Sequence, residues 1–422
     1  MSSKSKKTAS SGIFAHLAKD PAVFLTLIVG GLGYFVDVFD LLLFSIVRVQ
    51  SLKDIHVPEA DLLNSGVTII SWQMGGLLLG GWVWGVLGDR LGRRSVLFGS
   101  ILLYSVANIG NAFIISVPQY AALRFITGLG LAGELGVGVT LASELLPRGL
   151  RGLGTTFIAT VGVMGATAAA IVTHFYDWHT AYILGGVMGL LLLVMRVSVK
   201  ESGMYKKIAS EKKHVSRGNL FLLFTRWDLL RRYLAVICIG APIWGVIGIF
   251  IMFTPEFAKD FGLAIQPTGT DAVLYCYIGA TIGSFFSGAL SQYLKSRRKS
   301  IAVSLAMLIL FLALFVLSRP ETLFTYYALC GLLGIGVGYW TMFVQVGAEQ
   351  FGTNIRATAA TSVPNVVRGL TIPMTTAFRA LIPQLGVTGS GIAVIAVVLA
   401  LAFWGLRSVK ETFHAELDYI ET

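Results

Sequence analysis

Charge is what this chain has least of. Only 13% of its 422 residues are Asp, Glu, Lys or Arg, about half the share found in soluble domains, which excludes one or more water-soluble domains. Cysteine is nearly absent as well. Cys238, Cys276 and Cys330 all sit in apolar stretches, so there is no disulfide framework and no ligand spacing for a metal. They read as small buried thiols. Nor is there a Ser/His/Asp set, a metal cluster or a nucleotide-binding Gly loop opening a suitable element, so an enzyme is not expected and no cofactor is called for.

What is abundant is apolar. Hydrophobic residues make up 55% of the chain, with 48 Gly and 26 Phe, and mean hydropathy is +0.75. Small and aromatic residues are enriched where membrane helices pack and meet the interface. A spanning helix needs about 20 largely apolar residues. That rule predicts twelve spans, at 23–47, 67–88, 95–115, 120–143, 154–175, 179–199, 233–254, 271–293, 301–318, 323–347, 358–382 and 387–406. The expected class is an all-α membrane protein of twelve transmembrane helices in two six-helix bundles. Its divisions are a tail at 1–22, a first bundle at 23–199, a linker at 200–232, a second bundle at 233–406 and a tail at 407–422. The polar segment Met1–Ser11 has no cleavable apolar core, so both termini are expected on one side.

The net charge of +11 first suggests nucleic acid, but its placement argues otherwise. With the N-terminus in the cytoplasm, most Lys and Arg fall in inner segments, including Lys4, Lys6, Lys7, Arg90, Arg93, Arg94 and Lys295 to Lys299. This is the positive-inside bias. It orients a multi-pass protein of a plasma membrane (a bacterial inner membrane), attracted to anionic lipid, with no nucleic-acid partner. Four arginines fall inside spans: Arg124, Arg196, Arg368 and Arg379.

The two halves echo each other. Glu144 to Arg151 after span four and Glu349 to Arg356 after span ten share a Glu-x₆-Arg pattern, and Gly85-x-Leu in span two recurs as Gly288-x-Leu in span eight. Parallel repeats of this kind are a transporter architecture with substrate near the bilayer midplane.

Gly85-Val-Leu-Gly-Asp-Arg-Leu-Gly-Arg-Arg94 closely resembles the loop-2–3 motif of the major facilitator superfamily, and Arg124-Phe-Ile-Thr-Gly-Leu-Gly resembles its span-four motif. Four further stretches resemble the branch of metabolite:proton symporters, sugar porters and organic-ion transporters. They are Val36-Asp-Val-Phe-Asp40, Gly128-Leu-Gly-Leu-Ala-Gly-Glu134, Glu349-Gln-Phe-Gly-Thr-Asn-Ile-Arg-Ala-Thr358 and Asn365-Val-Val-Arg368. Departures are present: Gln292 replaces the counterpart of Asp89, His179 follows Trp178 where relatives carry Arg, and span five lacks the Gly-Pro element of drug/proton antiporters. The resemblance implies a secondary transporter that works by alternating access.

Intramembrane charge is functional by default. Asp37 and Asp40, at i and i+3 in span one, share a helix face, and two carboxylates that close cannot both ionise cheaply. Proton coupling is expected there, with Glu134 as a second carrier and Arg124 in the relay. The alternatives are permanent pairing with an Arg for the three acids, a helix-break cap near Gly30 to Gly33 for Asp37 or Asp40, and a packing ion pair for Arg124. In the second half, Arg368 and Arg379 lie about three turns apart on nearly one face and could grip a carboxylate in bidentate fashion. Trp244, Trp340, Gln345 and Asn365 are candidates for the pocket, as is His174, whose imidazole can change charge near neutrality. Asp89, Arg90, Arg93, Arg94, Glu144, Arg151, Glu349 and Arg356 are expected to form ion pairs that open and close the cytoplasmic ends.

The leading reading is proton-coupled symport of a small organic anion of carboxylate type. The partners expected are that anion, protons and lipid, the chain is read as a monomer, and the proton gradient supplies the energy. The alternatives are an exporter or facilitator of drug-like or cationic compounds, and a non-transporting membrane receptor or scaffold.

Overall fold

The computed structural model describes residues 21–91, 93–134, 151–196, 222–352, 355–413, 419 and 421. Apolar runs far longer than a soluble helix needs become long helices, since a chain in hydrocarbon must satisfy its backbone internally. They are α1 Pro21–Asp54, α2 Leu62–Leu91, α3 Arg93–Asn111, α4 Val117–Leu131, α5 Arg151–Phe175 and α6 Trp178–Arg196 in the first half. The second half holds α7 Trp227–Gly245, α8 Gly269–Leu294, α9 Arg297–Leu317, α10 Leu323–Val337, α11 Trp340–Glu349, α12 Arg356–Gly369 and α13 Thr371–Ser408. No strand occurs among the described residues.

Among those residues, nine helical stretches are long and apolar enough to cross a membrane. The last, 358–408, turns back at Gly386, whose φ of 69° lies in the left-handed region that glycine tolerates. It therefore supplies two passes. Near the turn Asp260 accepts from the Thr388 hydroxyl at 2.5 Å, whereas at the far end Arg298 donates to the Leu406 carbonyl at 3.1 Å. α3 and the shorter α4 complete the twelve.

Boundaries shift outward in places. α1 runs on to Asp54 and α7 begins at Trp227, six residues inside the segment expected to be linker. The polar end of α1 and the polar start of α7 project beyond the apolar stretch and escape a hydropathy criterion.

Each half is built the same way. α2 packs on α4 with a Cβ at Gly80 or Gly128 meeting the partner's backbone, and α8 packs on α10 in the same manner at Gly283 and Gly334. Side-chain oxygens cap several second-half helices: Thr268, Ser296 and Thr322 accept from Asp271 N, Lys299 N and Thr325 N. The halves meet along α2 against α12 and α5 against α8.

Candidate functional site

Three helices of the second half are interrupted at the level where the halves face each other. Pro242, which has no N–H to donate, precedes a π turn, Val246–Ile251. α10 and α11 are separated at Gly338 and Tyr339, and α12 ends at Gly369. Breaks of this kind are where transporter helices build sites. Here they surround a small cavity. Tyr34, Val38, Leu41 and Val163 wall it from the first half. Ile243, Trp244, Ile247, Tyr277, Ala280, Ser284, Val337, Gly338, Trp340 and Arg368 wall it from the second. Arg368 alone among these lining residues carries a charge.

Arg368 is almost fully buried, and its Nη2 lies 3.5 Å from Asp37 Oδ2 across the two halves. Asn365 Oδ1 accepts from its Nη1 at 3.1 Å. Its guanidinium lies 5.5 Å from the Trp340 ring centre and 6.0 Å from that of Trp244, within cation–π range. Trp340 in turn donates its indole N–H to the Tyr34 hydroxyl at 2.7 Å. Among the described residues, neither Asp37 oxygen nor Arg368 Nε has a hydrogen-bond partner. Buried groups left so are uncommon, and a carboxylate ligand offers the acceptors that Arg368 lacks.

Asp37 and Asp40 have different partners. Three residues on a helix turn through about 300°, and the residual angle is enough to aim them apart. Asp37 meets Arg368, while Asp40 turns into the first bundle, where its Oδ1 accepts from Asn108 Nδ2 at 2.7 Å. Arg124 donates to the Asp40 carbonyl at 2.8 Å, to Gln73 Oε1 at 3.2 Å and to Asn108 Oδ1 at 3.3 Å, and lies over the Tyr182 ring. Glu134 is paired with Arg196, both buried, directly against α1 at Gly33. Neither Asp40 nor Glu134 lines the cavity.

Other expected pocket residues divide. Trp244 and Trp340 line the cavity. Asn365 stands behind it, orienting Arg368 and donating to the Ala132 carbonyl of the first half at 2.9 Å. Gln345 lies behind as well, donating to Glu349 at 2.8 Å. Arg379 is exposed and does not join Arg368, because a turn at Leu370 separates α12 from α13 and a three-turn count does not carry across it. His174 is also elsewhere, at the far end of α5, 3.1 Å from Asp271.

At the opposite ends, Glu349 Oε2 lies 3.8 Å from Arg297 Nε, so the degraded second copy of the loop motif still supplies a cation. Arg356 is buried and donates through Nε to the Phe351 carbonyl at 3.3 Å; Arg90 is exposed at the end of α2. Glu144 lies outside the described residues, as do the side chains of Asp89, Arg93, Arg94 and Arg151.

Sequence reasoning passed over Tyr34, Tyr277 and Asn108 and gave Arg196 no role. Tyr34 carried a signal, being one turn before Asp37; the others depend on helix rotation.

Residues 30–374 match the family model described as the Major Facilitator Superfamily. The chain belongs to the major facilitator superfamily. It is a multi-pass membrane transporter and not an enzyme. It is 35% identical over 176 residues to the niacin transporter NiaP of Acinetobacter baylyi, a match spanning 41% of this chain and 39% of that protein. It is 23% identical over 386 residues to the sialic acid transporter NanX of Escherichia coli, covering 88% and 89% of the two chains. Among solved structures, the superfamily fold of the proton:xylose symporter XylE bound to 6-bromo-6-deoxy-D-glucose aligns with a TM-score of 0.73 at 16% identity, covering 94% of this chain and 98% of that one.

Proposed function

We propose that the protein carries a small organic anion of carboxylate type together with a proton, by alternating access between two rocking halves. The carrying observation is the buried Asp37–Arg368 pair between the halves, at 3.5 Å. Protonation of Asp37 removes the anion that holds Arg368, and the freed guanidinium takes a carboxylate with the fork geometry suited to it. Loading a proton and an anion together leaves the charge of the site unchanged, so the loaded carrier can cross lipid without an exposed ion. Release of both restores the pair. Asp40, held by Asn108 and beside Arg124, and Glu134, paired with Arg196, extend the acidic interior of the first half as relay groups.

The aromatic walls fit a flat acid. Niacin and sialic acid, named for the relatives, are both carboxylic acids, which supports the anion reading. A carrier of cations would need a carboxylate in the lining, where this cavity offers Arg368. Following the positive-inside bias, both termini face the cytoplasm of a bacterial inner membrane. At those ends Glu349–Arg297, with Asp89, Arg90, Arg93, Arg94, Glu144, Arg151 and Arg356, form the clamp that breaks on inward opening. The chain acts as a monomer and uses no cofactor.

Proteoliposomes test this. Loaded with unlabelled nicotinate or benzoate, they should take up the labelled acid by counterflow, and an inward proton gradient should drive accumulation. Asp37→Asn should keep counterflow and lose accumulation, and Arg368→Ala should lose both. Accumulation surviving in Asp37→Asn would remove Asp37 as the coupling site. Counterflow of organic cations in place of acids would favour the exporter reading.

A further inference from the structure

The geometry points to a second proton-binding site, formed by His174 and Asp271 at the end of the molecule opposite the Glu349–Arg297 pair, through which closing that face takes up one proton from outside. The inference rests on the alternating-access reading and its orientation, but not on the identity of the substrate.

His174 is in the last turn of α5, in the first half, and Asp271 is in the first turn of α8, in the second half. The imidazole is fixed on both sides. Its Nδ1 lies 2.8 Å from the Ala170 carbonyl and its Nε2 lies 3.1 Å from Asp271 Oδ1. A carbonyl oxygen only accepts, so Nδ1 carries a hydrogen. A neutral ring with its hydrogen there would turn a bare lone pair toward a carboxylate oxygen. The contact is attractive only with a proton between Nε2 and Oδ1.

The carboxylate is supplied with donors on its other side. The other oxygen of Asp271 accepts from the Thr268 hydroxyl at 2.8 Å and the Tyr327 hydroxyl at 3.2 Å. The first turn of α8 is also where the helix dipole favours an anion. The proton therefore belongs to the ring, and the closed contact is an imidazolium–carboxylate pair. When the halves part at this end, α5 leaves α8, Nε2 faces water, and the proton can leave. Closed and open states then differ by one bound proton, and linkage makes external acid favour closure.

The surrounding charges do not duplicate this. Arg48 of α1 lies 3.9 Å from Glu256 in the second half, a second contact across the halves, but its guanidinium stays protonated throughout. His179 pairs with Asp177 of its own half at 3.0 Å. Asp54 accepts from the Trp178 indole at 2.6 Å, also within the first half. Tyr327 on α10 reaches Asp271 with a neutral hydroxyl, from within the second half. At this end, His174 is thus the imidazole that meets a carboxylate across the seam.

The test uses the full chain in lipid nanodiscs, with Cys238, Cys276 and Cys330 replaced by Ala. Spin labels go on cysteines at Phe113 and Phe324, which are exposed at this end of the two halves. The distance distribution gives the ratio of closed to open states without any substrate. In the parent, that ratio should rise as the medium is acidified. His174→Gln should flatten the response with the open state favoured, and His174→Lys, which holds a cation at every pH, should flatten it with the closed state favoured. His179→Gln should leave the parental slope. Arg48→Gln should lower the closed fraction equally at all pH values. A parental slope surviving in both His174 variants, or a pH-independent ratio in the parent, would overturn the site. Loss of carboxylate counterflow with the slope intact would remove the proposed substrate and leave this inference standing.

Discussion

The indole N–H of Trp340 donates to the hydroxyl of Tyr34 at 2.7 Å, the shortest polar tie described between α11 and α1. The same indole presents its face to the Arg368 guanidinium at 5.5 Å. One side chain therefore both joins the halves and stabilises the cation that faces the cavity. Replacing Trp340 by Leu removes both roles. A desolvated cation–π contact is worth about 0.5–2 kcal/mol, so carboxylate binding should weaken by roughly two- to thirtyfold. Tyr34→Phe removes only the acceptor and should weaken it less. Titration of labelled acid against the detergent-solubilised variants measures both.

A buried ion pair does more to punish the loss of one member than to stabilise when intact. Asp37→Asn leaves Arg368 buried without its counterion, which should cost about 3–5 kcal/mol of stability. Because an anionic ligand supplies the missing charge, the variant should gain more from saturating carboxylate than the parent does. Melting midpoints of both proteins with and without ligand give the comparison. An equal ligand shift in the two would mean that the carboxylate binds away from Arg368.

How far the molecule was legible varies with the physics that sets each feature. Span positions follow from hydropathy alone, and eleven of the twelve survive as helices almost where expected, α4 being described only as far as Leu131. Trp244 was legible because Pro242 and Gly245 flank it, and an interrupted helix next to an aromatic is a local pattern. The separation of Asp37 from Asp40 was not, since it turns on a rotation of α1 that only packing against Arg368 and Asn108 fixes. Arg379 misled for a related reason: helical periodicity was extended across the turn at Leu370. His174 drew notice as a titratable residue, yet its partner Asp271 is almost a hundred positions away and lies in the other half.

Gly33 should not accept a side chain. A Cβ built there would meet Glu134 Oε1 and Arg196 Nη2, the two atoms of the buried ion pair packed against α1. Gly33→Ala would have to push apart two charges that are buried from solvent, so it should destabilise by more than the usual loss on overpacking of about 1–3 kcal/mol. Glu134→Gln with Gly33→Ala should recover part of the loss, because a neutral amide separates from a guanidinium at less cost. A double-mutant cycle of melting free energies measures the coupling.

Glu411 ties the chain after α13 to the start of α9. Its carboxylate accepts from the Ser296 hydroxyl, from Arg297 N at 2.9 Å and from Arg298 N at 3.3 Å. Partial burial alone would raise its pKa, but these donors outweigh burial and hold the carboxyl below its ordinary value. A folded-state value below the unfolded one means that the anchor's contribution is complete above the unfolded value, about pH 4.3, and fades as pH falls through the lower folded one. Glu411→Gln should therefore behave at neutral pH as the parent does in acid. Hydrogen exchange at the Arg297 and Arg298 amides, which Glu411 covers, should speed up in the variant at pH 7. It should become indistinguishable from the parent's once both are corrected to a pH below that transition, and a variant as protected as the parent at neutrality would show that the Ser296 cap holds this end without the carboxylate.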